Sequence, residues 1–349
     1  MFLNNSKIFL KVVIGDIHGR LKISNQNDSY SSSFTLINSF QGHSTYINRI
    51  KQSPFNNSNI IATCSHDQTV KIWHVYSSSN WTLIRTYSNH SSYVWTLEWL
   101  DADTLASSGY QDKTIKIWSL SSGYTKRVIN TGAYVLSLKL LNGSNDGSPS
   151  STSFYLAVGL NASINIYNIN DGSLVSTLNG HTDYVRDLVQ ISNDLLASSS
   201  GDRTVRLWNL ATNTCTFIPR GHTSSVYGLK QINSQILASG SHDATIKLWN
   251  TTSGQLIRTL TGHTNEVLWS IDLINDNISS QSTTLVSGSG DQTVRKWNWQ
   301  TGELLSTIQV PNSYIYSLAV IFMNQNQQTT TSTPTTGKFY SHACFLLSS

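Results

Sequence analysis

The chain has 349 residues, 38% of them apolar and only 12% charged, with a formal net charge of +4. A soluble domain ordinarily carries roughly 25% charged residues. With no run of Lys and Arg, this balance argues against a nucleic-acid stripe or a membrane anchor. Three cysteines, Cys64, Cys215 and Cys344, have no metal-ligand spacing and no even count. They predict no disulfide framework, no metal and a reducing compartment, the cytoplasm first and the nucleus as the alternative.

The apolar stretch at 8–14 is broken by Lys11 and is too short to span a bilayer. KIFLKVVIG, GRLKIS and SFTLINSF, spread over residues 7–40, read instead as three strands of a unit that lacks its first. From Gly42 onward the chain repeats itself. Five segments end alike: SHDQTVKIW at Trp73, YQDKTIKIW at Trp118, SGDRTVRLW at Trp208, SHDATIKLW at Trp249 and SGDQTVRKW at Trp297. An Asp precedes each Trp by six residues: Asp67, Asp112, Asp202, Asp243 and Asp291. A hydroxyl residue precedes each Asp by four: Thr63, Ser108, Ser198, Ser239 and Ser287. Upstream of each stands a histidine: His43, His90, His181, His222 and His263.

Between the second and third of these lies a degenerate unit in the same phase, with Thr131, Asn161 and Tyr167 at the His, Asp and Trp positions. A last unit begins VPNSYIYSLAV, with Pro311 at the His position. Segments such as IKIW and VRLW alternate apolar and polar residues as half-buried strands do, and no sustained helical period occurs. Each unit therefore reads as four short strands in about 40–45 residues.

This pattern resembles the WD-repeat family and covers nearly the whole chain. The Trp-Asp dipeptide itself is absent; His74, Ser119, Asn209, Asn250 and Asn298 follow the five tryptophans. The resemblance implies an all-β fold, a seven-bladed β-propeller of four-stranded antiparallel blades forming one domain over 1–349. Residues 1–41 supply strands of the closing blade, 42–310 six blades and 311–322 the closing strand. Residues 323–349 hold a low-complexity loop and a C-terminal segment, 338–349, that competes for the same blade or adds to it. Joining both ends in one blade leaves no free sheet edge.

Asp, His and Ser in one unit invite a catalytic triad, but a nucleophilic site is a single constellation with an oxyanion hole. Here the set recurs five times with Trp. In the resembled family Asp orients His, His meets the hydroxyl, and the hydroxyl meets the indole N–H, a buried chain in which each member is satisfied. Gly15-Asp16-Ile17-His18-Gly19 looks like the first metal motif of metallophosphatases, but the companion motifs are missing and the string falls on a turn of the closing blade. No catalytic residue, metal or cofactor is expected.

Insertions at 142–153, 275–283 and 323–337 fall on one face of the propeller and leave the other open. Apolar residues spaced by three, as at Ile47 and Ile50 or Val185 and Leu188, break strand alternation and predict a β-bulge in each first strand. The resemblance implies that the residues flanking the first of each pair face a partner. Those before it are Tyr46, Tyr93, Tyr134, Tyr184, Ser225 and Tyr314; those after it are Asn48, Trp95, Leu136, Arg186, Tyr227 and Tyr316. His66, Gln111 and His242 precede the turn Asp and join them. The unit at 266–271 carries one extra residue, which leaves Leu268 and Trp269 both open. Tyr, Trp and Arg are the types enriched at binding hot spots, with packing between blades as the alternative for Trp95 and Tyr227.

The expected function is a non-catalytic scaffold or adaptor binding proteins or peptides on this tyrosine-rich face, a monomeric ring within a larger complex. The alternative is a substrate-recognition subunit of a ubiquitin ligase or another regulatory complex. One family of such receptors carries Arg three residues after the blade Trp; Tyr76, Ser121, Ala211, Thr252 and Gln300 stand there instead. A hydrolase or phosphatase ranks last.

Overall fold

The computed structural model describes residues 8–26, 34–55, 59–77, 79–142, 154–267, 270–274 and 284–324. Their strands form seven four-stranded antiparallel sheets arranged as a propeller. The innermost strands of blades 1 to 7 are Ile47–Gln52, Val94–Trp99, Ser137–Leu141, Val185–Ser192, Val226–Asn233, Ile271–Ile274 and Ile315–Asn324. In blades 1 to 6 the chain then runs outward through three further strands. Blade 7 takes its second, third and outer strands from the other end of the chain, Ile8–Asp16, Arg20–Gln26 and Phe34–Gln41. Ile8–Asp16 lies antiparallel to Ile315–Asn324, with Val12 opposite Val320. The innermost strand of blade 7 meets that of blade 1, so the ring is closed. The segments 275–283 and 338–349, and the residues Leu268 and Trp269, lie outside the described residues, as do most of the other two long insertions.

Position in the blade explains which residues each strand uses. Second strands are covered on both sides by neighbouring blades, and Thr104–Gly109 is buried throughout. Small residues suit that crowding: Ala62, Ala106, Ala157, Ala197 and Ala238 recur there and are all buried. Third strands alternate, Ile246, Leu248 and Trp249 being buried while Lys247 is half-buried. The core is a set of apolar layers between blades. One joins Ala62, Cys64 and Ile72 of blade 1 to Val94, Leu97 and Trp118 of blade 2. Each such apolar side chain contributes about 1.5–3 kcal/mol when fully buried.

The innermost strands shift register between Ile47 and Arg49, Val94 and Thr96, Val185 and Asp187, and Val226 and Gly228. Those are the bulges that the spacing of three predicts. Each leaves one residue out of the ladder and re-aims it. The turns after the second strands carry left-handed residues, among them Gln68 (φ 69°), Arg203 (φ 70°) and Gln292 (φ 65°). The preceding Asp offsets that strain: in each case its Oδ1 accepts the backbone N–H of the following Thr at 2.9–3.0 Å.

Candidate functional site: the top face and its aromatic mouth

Five blades carry a hydrogen-bonded chain from the turn into the core. In blade 4, His181 Nδ1 lies 2.7 Å from Asp202 Oδ2, His181 Nε2 lies 2.7 Å from Ser198 Oγ, and Trp208 Nε1 donates to the same oxygen at 2.8 Å. His43, Asp67, Thr63 and Trp73 repeat it in blade 1. His222, Asp243, Ser239 and Trp249 repeat it in blade 5, and His263, Asp291, Ser287 and Trp297 in blade 6. The indole N–H can only donate, so the hydroxyl accepts from it and gives its own hydrogen to His Nε2. The histidine is then neutral with its hydrogen on Nδ1, donating to Asp. Burial pushes His43, His181 and His263 below the ordinary histidine value, which keeps them in that form.

Burial alone would raise the carboxyls, but donors outweigh it. Asp202 accepts from His181, from Thr204 through both its N–H and hydroxyl, and from the Thr182 N–H. Asp67, Asp202, Asp243 and Asp291 all sit well below the usual carboxylate range, and Asp112 is held at about 2. Such groups are anions locked in a structural network, the opposite of a general base poised near neutrality.

In blade 2 the structure corrects the sequence reading. His90 and Trp118 meet on Ser107 Oγ, at 2.8 and 2.7 Å, and not on Ser108. Ser107 pairs with Lys116 as Thr63 pairs with Lys71, so the blade 2 turn is one residue longer. Ser108 faces the next blade and donates to Val135 O. Blade 7 builds a substitute: Asp16 Oδ1 accepts the N–H groups of His18 and Arg20, while Oδ2 accepts Ser313 Oγ and lies 3.4 Å from Lys22 Nζ. The phosphatase-like string is thus a turn brace. Among the described residues no group of three or more His, Cys, Asp or Glu side chains could hold a metal. The Cys64 thiol is buried and pushed up to about 12, far from a reactive thiolate.

The bulges and turn ends gather aromatic rings around the mouth of the central bore. His66 lies at their junction, with Tyr93 at 4.4 Å, Tyr46 at 4.9 Å and Trp95 at 5.6 Å between ring centres. From Trp95 the contacts run to Tyr110 at 5.2 Å, then to Tyr134, stacked at 4.6 Å. Tyr110 also hydrogen-bonds Tyr184. On the far side, the Arg186 guanidinium lies 5.1 Å from the Tyr184 ring and 4.7 Å from that of Tyr227, which stacks on His242 at 4.3 Å. Tyr316 contacts Tyr46 and Tyr314, and Tyr314 donates its hydroxyl hydrogen to Glu266. Tyr46 and Tyr93 are 40% and 43% exposed, so the open rings stand on the blade 1 and blade 2 side. Burial lowers His66 and His242 and raises Tyr227 and Tyr316, leaving these rings uncharged at neutral pH.

Three predicted mouth residues are corrected. Leu136 is 1% exposed and belongs to the core, an aliphatic side chain at this step turning inward. Asn48 is 1% exposed, and its amide donates to Val94 O of the next blade at 2.8 Å, so it is a clamp between blades. Gln111 is displaced by the longer blade 2 turn. The Tyr110 N–H bonds Tyr93 O just as His66 N–H bonds Tyr46 O and His242 N–H bonds Ser225 O. Tyr110 therefore holds the ring position, while Gln111 is exposed beyond it. Trp95 and Tyr227 are both half-buried, packing on neighbours while edging the mouth.

The bore beneath is crossed by an ion pair. Arg49 of blade 1 reaches Asp187 of blade 4, with side chains only 9% and 11% exposed. Asp187 directly follows Arg186, so the crossing also fixes the strand that presents Arg186.

Compared with known families, residues 34–74, 81–119, 172–209, 213–250 and 254–298 match the WD domain, G-beta repeat. Each matched repeat starts at the outer strand of one blade, or up to two residues before it, and ends on the third strand of the next. Protein SPA1-RELATED 3 of Arabidopsis thaliana is 30% identical over 154 residues, 43% of this chain and 17% of that protein. Nuclear distribution protein PAC1 of Arthroderma otae is 28% identical over 186 residues, 50% of this chain and 38% of that protein. WD repeat-containing protein pop1 of Schizosaccharomyces pombe is 29% identical over 199 residues, 45% of this chain and 24% of that protein. The chain thus spans well under half the length of these relatives. Propellers of the matched family are typically non-catalytic interaction scaffolds, and no catalytic family is indicated. With matched repeats over more than half of its length and a closed ring of seven blades, five of them braced by tetrads, the chain belongs to the WD-repeat family.

Proposed function

We propose that this propeller is a protein-interaction scaffold whose aromatic mouth holds a peptide or loop of a partner. The observation that carries the reading is the run of rings from Tyr134 through Trp95 and His66 to Tyr316, laid over a bore that Arg49 and Asp187 cross. Rigid aromatic rings supply contact area at low entropic cost, and they centre hot spots where water is excluded. Arg186 stands near the axis: it acts electrostatically on Tyr110 of blade 2, Tyr227 and His242 of blade 5 and Tyr316 of blade 7. A guanidinium beside these rings is the group type that meets a carboxylate or phosphate on a partner.

The test is affinity purification with quantitative mass spectrometry on the parent chain and on the Tyr184→Ala, Arg186→Ala double variant. Both side chains are half-buried at the rim of the mouth and belong to no tetrad, so the variant should still melt in one transition near that of the parent. Loss of at least tenfold of the co-purifying partners is expected, about 1.4 kcal/mol or more of binding. An unchanged partner set would remove the mouth from consideration.

A further inference from the structure

The bore walls are lined by charge in a definite order. Apart from Arg186 at the mouth, the charged side chains of the innermost strands are Arg49 and Lys51 in blade 1, Glu98 in blade 2 and Lys139 in blade 3. They are Asp187 in blade 4, Lys230 in blade 5 and Asp272 in blade 6. They occupy two levels: Lys51, Glu98, Lys139, Lys230 and Asp272 share one, where blade 4 carries Val189, and Arg49 and Asp187 lie two residues earlier; taking both levels together, the sign alternates from blade 1 to blade 6. Blade 7 offers Ser317 and Ala319 at the same positions and is neutral.

The contacts run between blades. Glu98 is shared by Lys51 on one side and Lys139, at 2.9 Å, on the other. Lys230 pairs with Asp272, and Arg49 with Asp187. Each carboxylate also takes a backbone N–H from the following blade: Glu98 from Leu140, Asp187 from Leu229 and Asp272 from Val320. At the last junction a neutral group does this, Ser317 Oγ accepting the Ile50 N–H. The inner strand of every blade is a sheet edge, and these acceptors satisfy edge donors that would otherwise face the bore unpaired.

Buried charges are stabilising only when opposite charges surround them. A ring in which neighbours alternate achieves that for an even number of blades. Seven is odd, so strict alternation would force one pair of like charges together. We propose that the bore charges act as one ring-wide circuit that fixes the order of the blades, with the neutral closing blade placed where alternation must fail. Glu98, held at about 2, has its burial outweighed by both lysines, as a shared carboxylate in such a circuit requires.

Val189 tests the circuit. It occupies the bore position of blade 4 two residues after Asp187, between blades that carry Lys139 and Lys230, and it joins none of the ion pairs. Val189→Gln sets the cost of lost apolar packing. Val189→Glu should melt several degrees above Val189→Lys, with the gap shrinking in high salt. At Ala319, which lies between Asp272 and Lys51, the Glu and Lys variants should melt alike. Equal melting of Glu and Lys at 189, or a higher value for Lys, overturns the proposal. If position 189 admits no polar group, Lys230 serves, its side chain being 38% exposed. Lys230→Glu, placed against Asp272, must then melt below Lys230→Gln, and equal melting overturns the proposal in the same way.

Discussion

Ser107 and Ser108 are adjacent, both buried and chemically identical, yet only one closes a tetrad. Counting back from Asp112 selects Ser108, because that spacing is four in the other blades. Counting forward from the histidine selects Ser107: the separation is 17 residues in blades 2, 4 and 5 alike. The extra residue lies between hydroxyl and Asp, so the His spacing was the informative one. Ser107→Ala should strip a partner from both His90 and Trp118 and cost about 1–3 kcal/mol. Ser108→Ala loses one 3.3 Å bond to Val135 O and should cost under about 1 kcal/mol. Thermal unfolding of the two variants decides it, and the reverse order would contradict the assignment. The tetrads also predict how stability follows pH. His43, His181 and His263 titrate below the ordinary value in the folded state, chiefly through burial, so the unfolded chain takes up protons first. Their contribution is complete above pH about 6.5 and declines as pH falls through the folded values. The tetrad aspartates, also depressed, add a second loss below pH about 4. The melting temperature should be level above pH 7 and fall in two stages on acidification. No change between pH 7 and pH 5 would contradict the neutral-histidine tetrad.

At the scale of the strand and the blade, the period-two pattern, the Asp turns and the bulges were legible because each is written in adjacent residues. Val185 and Leu188 differ from a regular alternation by one position, and the register shift between Val185 and Asp187 follows. What was not legible depends on a neighbouring blade. Asn48 follows an apolar bulge residue as Trp95 and Arg186 do, yet a carbonyl of blade 2 lies within reach of its amide and holds it inward. Long aromatic and guanidinium side chains at the same step turn outward instead. The brace of blade 7 was hidden for the same reason. Lys22, Asp16 and Ser313 come from opposite ends of the chain, and no repeat spacing links them. The cation two residues before each tetrad Trp is a further regularity: Lys71, Lys116, Arg206, Lys247 and Arg295. Arg295 lies 3.9 Å from Asp291, and Lys71 and Arg206 stand over their tryptophans. Blade 3 lacks both charges, with Asn161 and Asn165 in place of the Asp and the cation. Losing the two together avoids an unbalanced charge near the core.

Over the whole molecule the decisive feature is closure. The mouth and the bore exist only if blade 7 seats between blades 6 and 1, and that blade is assembled from residues 8–26, 34–41 and 315–324. The sequence announced this by beginning with three strands and ending with one, whereas the alternating bore charges needed the ring itself to place them side by side. Without the N-terminal strands, Ile315–Asn324 would stand as a bare edge, and Val320, Ile315 and Leu318 would lose Val12 and Ile14 from their shared apolar layer. The most direct measurement is therefore a truncation lacking residues 1–24, followed by size-exclusion chromatography with light scattering and by thermal unfolding. If both ends close the ring, the full chain should elute as a monomer and melt in one cooperative transition, and the truncated chain should lose both, aggregating or pairing through the open edge. A truncated chain that stays monomeric and melts with the parent would contradict the closed ring on which both the mouth and the bore circuit rest.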